Sequence, residues 1–257
     1  MSEFLIDQAM REAIDLQSRN QFEEAKSLYK KIIDHDDKNS DAYHLLSLIE
    51  LVHNKLDEAK SNIMKAIELQ PEISVYHSNY GNILYQSNNL EFAIQEHKRA
   101  IKLDKKNFQS FYSLGVIYAH LKNYDKSVEF YKKALKLDNE SSVAHNNLAN
   151  VYNRINPNEA ESHYLKVIEL TPNDPMPYIN ISNHYLKNTK YKKCVEILEK
   201  AMSESLESKE LYNNLGIAYL AIKENLKSKN MFELALKIDS NYKPALDNLH
   251  NLNNIEN

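Results

Sequence analysis

The sequence predicts an all-α fold, an α-solenoid of about seven helical hairpins closed by a C-terminal capping helix. Three observations point to it. Small residues recur every 34 positions: Ala25, Ala59, Ala93 and Ser127, then Ala160 one residue early, then Cys194 and Ser228 back in step. Within each period, apolar residues recur at helical spacing in two blocks separated by a short polar turn. The only three glycines, Gly81, Gly115 and Gly216, all fall at one position of the period. A period of this length marks stacked helical units, each packing only on its neighbours.

The chain divides accordingly into one continuous array over 1–257, with repeats at 6–39, 40–73, 74–107, 108–141, 142–174, 175–208 and 209–242, and a cap at 243–257. Ser40 is position 1 of its repeat. The first repeat carries Ala13, Leu16, Ala25, Tyr29 and Ile32, and its first helix is degenerate. The second has Tyr43, Leu46, Ile49 and Leu51, a turn at His53–Asn54–Lys55, then Ala59, Ile63, Ala66 and Pro71. The third has Tyr80, Gly81, Leu84, Ala93, His97 and Ala100; the fourth has Phe111, Leu114, Gly115, Tyr118, Ser127, Tyr131 and Ala134. The fifth has His145, Leu148, Ala149, Tyr152, Ala160, Tyr164 and Val167, and lacks one residue in its turn near Pro157. The sixth has Tyr178, Ile181, Ser182, Tyr185, Cys194, Leu198 and Ala201; the seventh has Tyr212, Leu215, Gly216, Tyr219, Ser228, Phe232 and Ala235. Pro244 opens a last helix with Ala245, Leu246, Leu249 and Leu252 on one stripe, a suitable cover for an exposed final face.

Position 8 holds the glycines. A glycine inside a helix costs about 1 kcal/mol relative to alanine, so two helices must cross too closely there for a side chain. The six prolines all fall in connections or first turns, where proline is tolerated.

Composition narrows the function. The net charge of −4 gives no general attraction to nucleic acid or anionic lipid, so neither is expected as a partner. No apolar run reaches the ~18–20 residues needed to span a bilayer. Residues Met1–Asp7 lack a basic, then apolar, secretory pattern, and the single Cys194 cannot form an internal disulfide; a cytoplasmic protein is expected.

Catalytic residues, cofactors and metal sites are not expected. All glycines lie within helices, which excludes a phosphate-binding glycine loop. The ten histidines never pair three or four residues apart, so no helical metal-ligand motif appears. His77, His97 and His145 occupy packing positions, and Cys194 sits in the small-residue row as a buried hydrophobe.

An aromatic at position 4, Leu-Gly at 7 and 8, Tyr at 11, Ala at 20, Phe or Tyr at 24, Ala at 27 and Pro at 32 together resemble the tetratricopeptide repeat. The resemblance covers residues 6–257, with departures at Glu12, Glu50 and Asn225. It implies a right-handed superhelix whose first helices line a concave groove. On that stripe, position 6 reads Asn79, Ser113, Asn147, Asn180 and Asn214. Position 9 adds Asn82, Asn150 and Asn183, and position 5 adds Tyr112, Asn146 and Asn213. An amide offers two donors and an acceptor. The row is similar to the asparagine ladders of O-linked N-acetylglucosamine transferase arrays, which implies main-chain binding of an extended peptide. Position 5 (His44, Ser78, Tyr112, Asn146, Ile179, Asn213) lacks the lysine with which chaperone-tail-binding arrays clamp a carboxylate. Met10, Leu45, Leu48 and Leu51 suggest an exposed hydrophobic patch for the guest or for a homo-oligomer contact.

The expected function is a non-catalytic protein-interaction scaffold holding a protein or peptide segment through these asparagines. The alternatives are the substrate-recruiting part of a glycosyltransferase system and a self-associating assembly module.

Overall fold

Short amphipathic helices of this kind gain their stability by stacking, since thirteen or fourteen residues are marginal alone in water. A computed structural model describes residues 3–256, with side-chain surroundings for residues 5–252. Among the described residues there are fifteen α-helices and no strand. The chain forms two compact units, Met1–Leu137 and Asp138–Asn257. Residue 257 of the cap lies outside the described residues.

The first unit contains four hairpins: α1 (Glu3–Ser18) with α2 (Phe22–His35), α3 (Ser40–Val52) with α4 (Leu56–Leu69), α5 (Ser74–Gln86) with α6 (Leu90–Leu103), and α7 (Phe108–His120) with α8 (Tyr124–Leu137). The second contains α9 (Ser142–Ile155) with α10 (Pro157–Leu170), α11 (Pro175–Lys187) with α12 (Tyr191–Ser203), α13 (Lys209–Ala221) with α14 (Asn225–Ile238), and the single helix α15 (Lys243–Glu256). Each unit is a helical-repeat solenoid.

Local chemistry sets the helix ends. Side-chain oxygens of Asn39, Asn107, Ser141, Asp174 and Ser208 cap α3, α7, α9, α11 and α13 by accepting a backbone N–H. Within six hairpins the turn residue adopts left-handed φ, at Asn20, Asn54, Asn88, Lys122, Thr189 and Lys223. The next N–H then reaches back five residues, as in Lys55 to the Glu50 carbonyl and Asn89 to that of Leu84, both at 2.8 Å. The fifth hairpin lacks this residue: Asn156 is extended at φ −149°, and Pro157 starts α10 at once.

Packing between paired helices explains the small residues. Ala25, Ala59, Ala93, Ser127, Ala160, Cys194 and Ser228 are fully buried. The Oγ atoms of Ser127 and Ser228 donate to the carbonyls of Gly115 and Gly216, each at 2.8 Å. A Cβ on Gly115 would stand 2.6 Å from Tyr131, and one on Gly216 2.5 Å from Phe232. Where position 24 is aliphatic, as at Ile63 and Leu198, position 8 is serine, Ser47 or Ser182. In the cap, Ala245 and Leu252 are buried and α15 packs on α14 and α13.

Candidate functional site

The asparagines expected to line the binding stripe lie on first helices in both units. In the first unit, α5 carries two. Asn79 Nδ2 lies 2.7 Å from His44 Nε2, and burial lowers the His44 pKa, which favours the neutral ring that has a nitrogen able to accept. Asn82 Oδ1 accepts from Ser113 Oγ at 3.0 Å. Tyr112 is half-buried on α7, stacked on Phe108 with ring centroids 6.1 Å apart.

The second unit gathers the rest. Asn180 Nδ2 on α11 donates to Asn146 Oδ1 on α9 at 2.8 Å. Asn214 Nδ2 on α13 donates to Asn183 Oδ1 and Ser182 Oγ on α11, both at 2.9 Å. Asn248 Nδ2 on α15 donates to Asn213 Oδ1 on α13 at 3.0 Å. Asn150 Oδ1 accepts from the buried Tyr164 hydroxyl at 2.7 Å. Burial pushes the Tyr164 pKa up to about 12, so the phenol holds its proton and remains the donor. Asn150 and Asn183 are exposed; Asn146, Asn147 and Asn180 are half-buried; Asn213 and Asn214 are buried. The amides therefore form three separate bonded pairs, which link α9 to α11, α11 to α13 and α13 to α15.

Two features of this row differ from the expectation. Position 5 is largely turned toward neighbouring helices: His44, Ser78, Ile179 and Asn213 are all buried. Asn248 belongs to the row as well. It stands at position 6 of the cap, in register with Asn180 and Asn214, and that register was the signal for it in the sequence. Beside the amides, Val143 and Met176 at position 2 are more than half exposed.

The hydrophobic patch is less open than expected. Met10 and Leu45 pack against the core of Ala13, Tyr29, Ile32 and Leu46, and Leu51 packs against that of Ile63, Tyr76 and Ile83. Leu48 is half-buried, and the neighbouring Val52 is 66% exposed. A surface depression of about 730 Å³ in the first unit lies along α4, lined by Tyr43, Lys60, Met64 and Lys65 among others, and contains none of the patch residues.

Several other polar groups are held by neighbouring helices. Glu50, which replaces the usual aromatic at position 11, is buried and held by Asn62 Nδ2 at 2.6 Å and Lys26 Nζ at 3.4 Å. In the second unit Glu161 accepts from Tyr185, Lys190 and Lys193. Desolvation opposes its ionisation, but these three partners outweigh it and hold the carboxyl well below its usual range, at about 2. Burial pushes the Cys194 thiol up to about 12, which leaves it unreactive. Among the described residues no group of three or more His, Cys, Asp or Glu side chains could hold a metal ion, and no helix is long and apolar enough to cross a membrane.

Models of the tetratricopeptide repeat match residues 40–73, 108–141 and 209–242, and a further TPR-repeat model matches 81–122. A comparison with curated proteins gives no match. Several solved structures share the fold. A tetratricopeptide repeat protein from Parabacteroides merdae is 20% identical, with 96% of this chain and 98% of the other covered and a TM-score of 0.64. The C-terminal part of a TPR repeat-containing protein from Cytophaga hutchinsonii is 19% identical, with 93% and 99% covered and a TM-score of 0.71. YrrB, described as a TPR protein with an unusual peptide-binding site, is 17% identical, with 85% and 96% covered and a TM-score of 0.51. The repeat pattern, the matching family models and the shared fold lead to one assignment: the chain is a tetratricopeptide repeat protein.

Proposed function

We propose that the protein is an interaction scaffold that works by binding, and that the amide row of the second unit holds an extended segment of a protein partner. One observation carries this reading. Asn146, Asn150, Asn180 and Asn183 stand on the first helices α9 and α11, Asn146 and Asn180 bonded to each other, and all four reach solvent. Asparagine is a mediocre helix former, so its concentration on one stripe of these helices asks for a use beyond helix formation. Each rung also fixes an amide's rotamer before a guest arrives, which lowers the ordering cost of binding. The peptide-binding site described for YrrB supports peptide binding as work that this fold can do.

Panning a random linear-peptide library tests the proposal. The wild-type protein should retain clones that an Asn147→Ala/Asn180→Ala variant releases. Equal retention by a correctly folded variant would place the guest elsewhere.

A further inference from the structure

Two histidines meet across the fifth hairpin. His145 on α9 stands at position 4, and His163 on α10 at position 23 once the residue this repeat lacks is counted. They are 18 residues apart in sequence, too far for a motif on one helix, yet the hairpin brings their Nδ1 atoms to 2.8 Å. Both side chains are half-buried. His145 Nε2 lies 3.1 Å from the Asn139 carbonyl. A carbonyl can only accept, so in the neutral ring Nε2 carries the proton and Nδ1 turns its lone pair toward His163. Tyr152 stacks on the His163 ring with centroids 5.7 Å apart and planes 12° apart, which backs that imidazole.

Other repeats fill the same two positions differently. In the third they hold His77 and Glu96, with Nδ1 2.6 Å from the carboxylate and Nε2 2.8 Å from the Pro71 carbonyl. Both His77 nitrogens face acceptors, so both carry protons there and no lone pair is left. In the fourth they hold Phe111 and Phe130, and Tyr118 stacks on Phe130 as Tyr152 does on His163. Among the repeats only the fifth has histidine at both positions.

We infer that His145 and His163 bind a divalent transition-metal ion of the zinc type. Neutral imidazole is an ordinary zinc ligand, and ligating histidines commonly donate their other ring N–H to a carbonyl, as His145 does to Asn139. A tetrahedral ion about 2.05 Å from each nitrogen sets the nitrogens about 3.3 Å apart and the ring centres about 5.2 Å apart. The ring centroids already stand 5.1 Å apart. Rotation about each Cβ–Cγ bond, whose axis runs through the ring centre, opens the nitrogens to that spacing along a soft torsion. His163 then carries its proton on Nε2. The charged neighbours one turn away on α10 are Glu159 and Lys166, and Lys166 is paired with Glu169 at 2.6 Å. Among the described residues no third His, Cys, Asp or Glu completes a ligand group. Water therefore fills the remaining positions, and the ion is exchangeable, unlike the closed four-ligand sites that hold a fold together. The site uses none of the asparagines, so it stands or falls apart from the proposed function.

The test is calorimetric titration of zinc chloride into the full chain at mildly alkaline pH. His145→Phe/His163→Phe copies the Phe111 and Phe130 pair, so it should keep its circular dichroism and bind zinc about tenfold more weakly or worse. Should the double variant unfold, His145→Phe alone should show the same loss. In nuclear magnetic resonance spectra of the wild type, zinc should move the ring signals of His145 and His163 more than those of His77 and His97. Magnesium, a hard ion that prefers oxygen, should leave them in place. Equal zinc affinity in the wild type and a folded variant, or ring signals of His145 and His163 that stay still on adding zinc, would overturn the site.

Discussion

Lys26 on α2 reaches across to the buried carboxylate of Glu50 on α3, joining the first hairpin to the second. The pair stands where other repeats place a position-11 tyrosine, and Asn62 from α4 completes the carboxylate's shell. Removing one member of a buried pair strands the other. Glu50→Ala should therefore cost about 3 kcal/mol or more in urea unfolding. The apolar double variant Lys26→Met/Glu50→Leu should lose much less, because no charge is left unpaired. Equal losses for the two variants would contradict this account.

Gly115 inverts the usual effect of a helix glycine. Alanine would ordinarily gain about 1 kcal/mol there, but its Cβ would stand 2.6 Å from the Tyr131 ring. Overpacking of that kind costs about 1–3 kcal/mol, so Gly115→Ala should lower the melting temperature. Adding Tyr131→Leu, which restores the combination of small position 8 and leucine seen at Ser182 and Leu198, should recover most of the loss.

His97 makes the first unit sensitive to acid. It is fully buried, Nε2 has no partner, and Nδ1 is 3.3 Å from Ser110 Oγ. Burial lowers its pKa from 6.5 to about 4. Between those values the unfolded chain binds more protons than the folded one, so stability is complete above pH 6.5 and falls as the pH drops toward 4. The loss is at most about 3 kcal/mol. His97→Phe, a ring that position 24 already accepts at Phe232, should flatten this part of a stability–pH profile. His77 contributes with the opposite sign. Burial opposes its charge, but Glu96 and the Pro71 carbonyl outweigh that and raise its pKa, so its contribution is full below pH 6.5 and lost as the pH rises through the raised value.

Thr189 holds a left-handed φ of 56° at the turn between α11 and α12. A β-branched side chain is strained there, whereas asparagine tolerates the conformation, as Asn20, Asn54 and Asn88 do at the equivalent turns. Thr189→Asn should raise stability by about 1 kcal/mol, measurable by urea titration. A decrease would show that the threonine makes a compensating contact.

Much of this protein could be read from the residues in order. The first helices begin at Ser40, Ser74, Phe108, Ser142, Pro175, Lys209 and Lys243 because the caps, turns and apolar spacing that define a helix act within a few residues of one another. Burial of Cys194, His97 and the glycine row followed from the same periodicity. The disposition of the asparagines did not. Whether an amide faces solvent or a neighbour depends on side chains 31 to 35 residues away, such as Asn146 for Asn180 and Ser113 for Asn82. The half-burial of Met10, Leu45 and Leu51 likewise needs the adjoining cores in place. Local spacing along the chain determined the hairpins and their packing faces. Only the stacking of one hairpin on the next decided which polar side chains bond to a neighbouring helix and which face solvent, because a hydrogen bond reads distance in space and not separation in sequence.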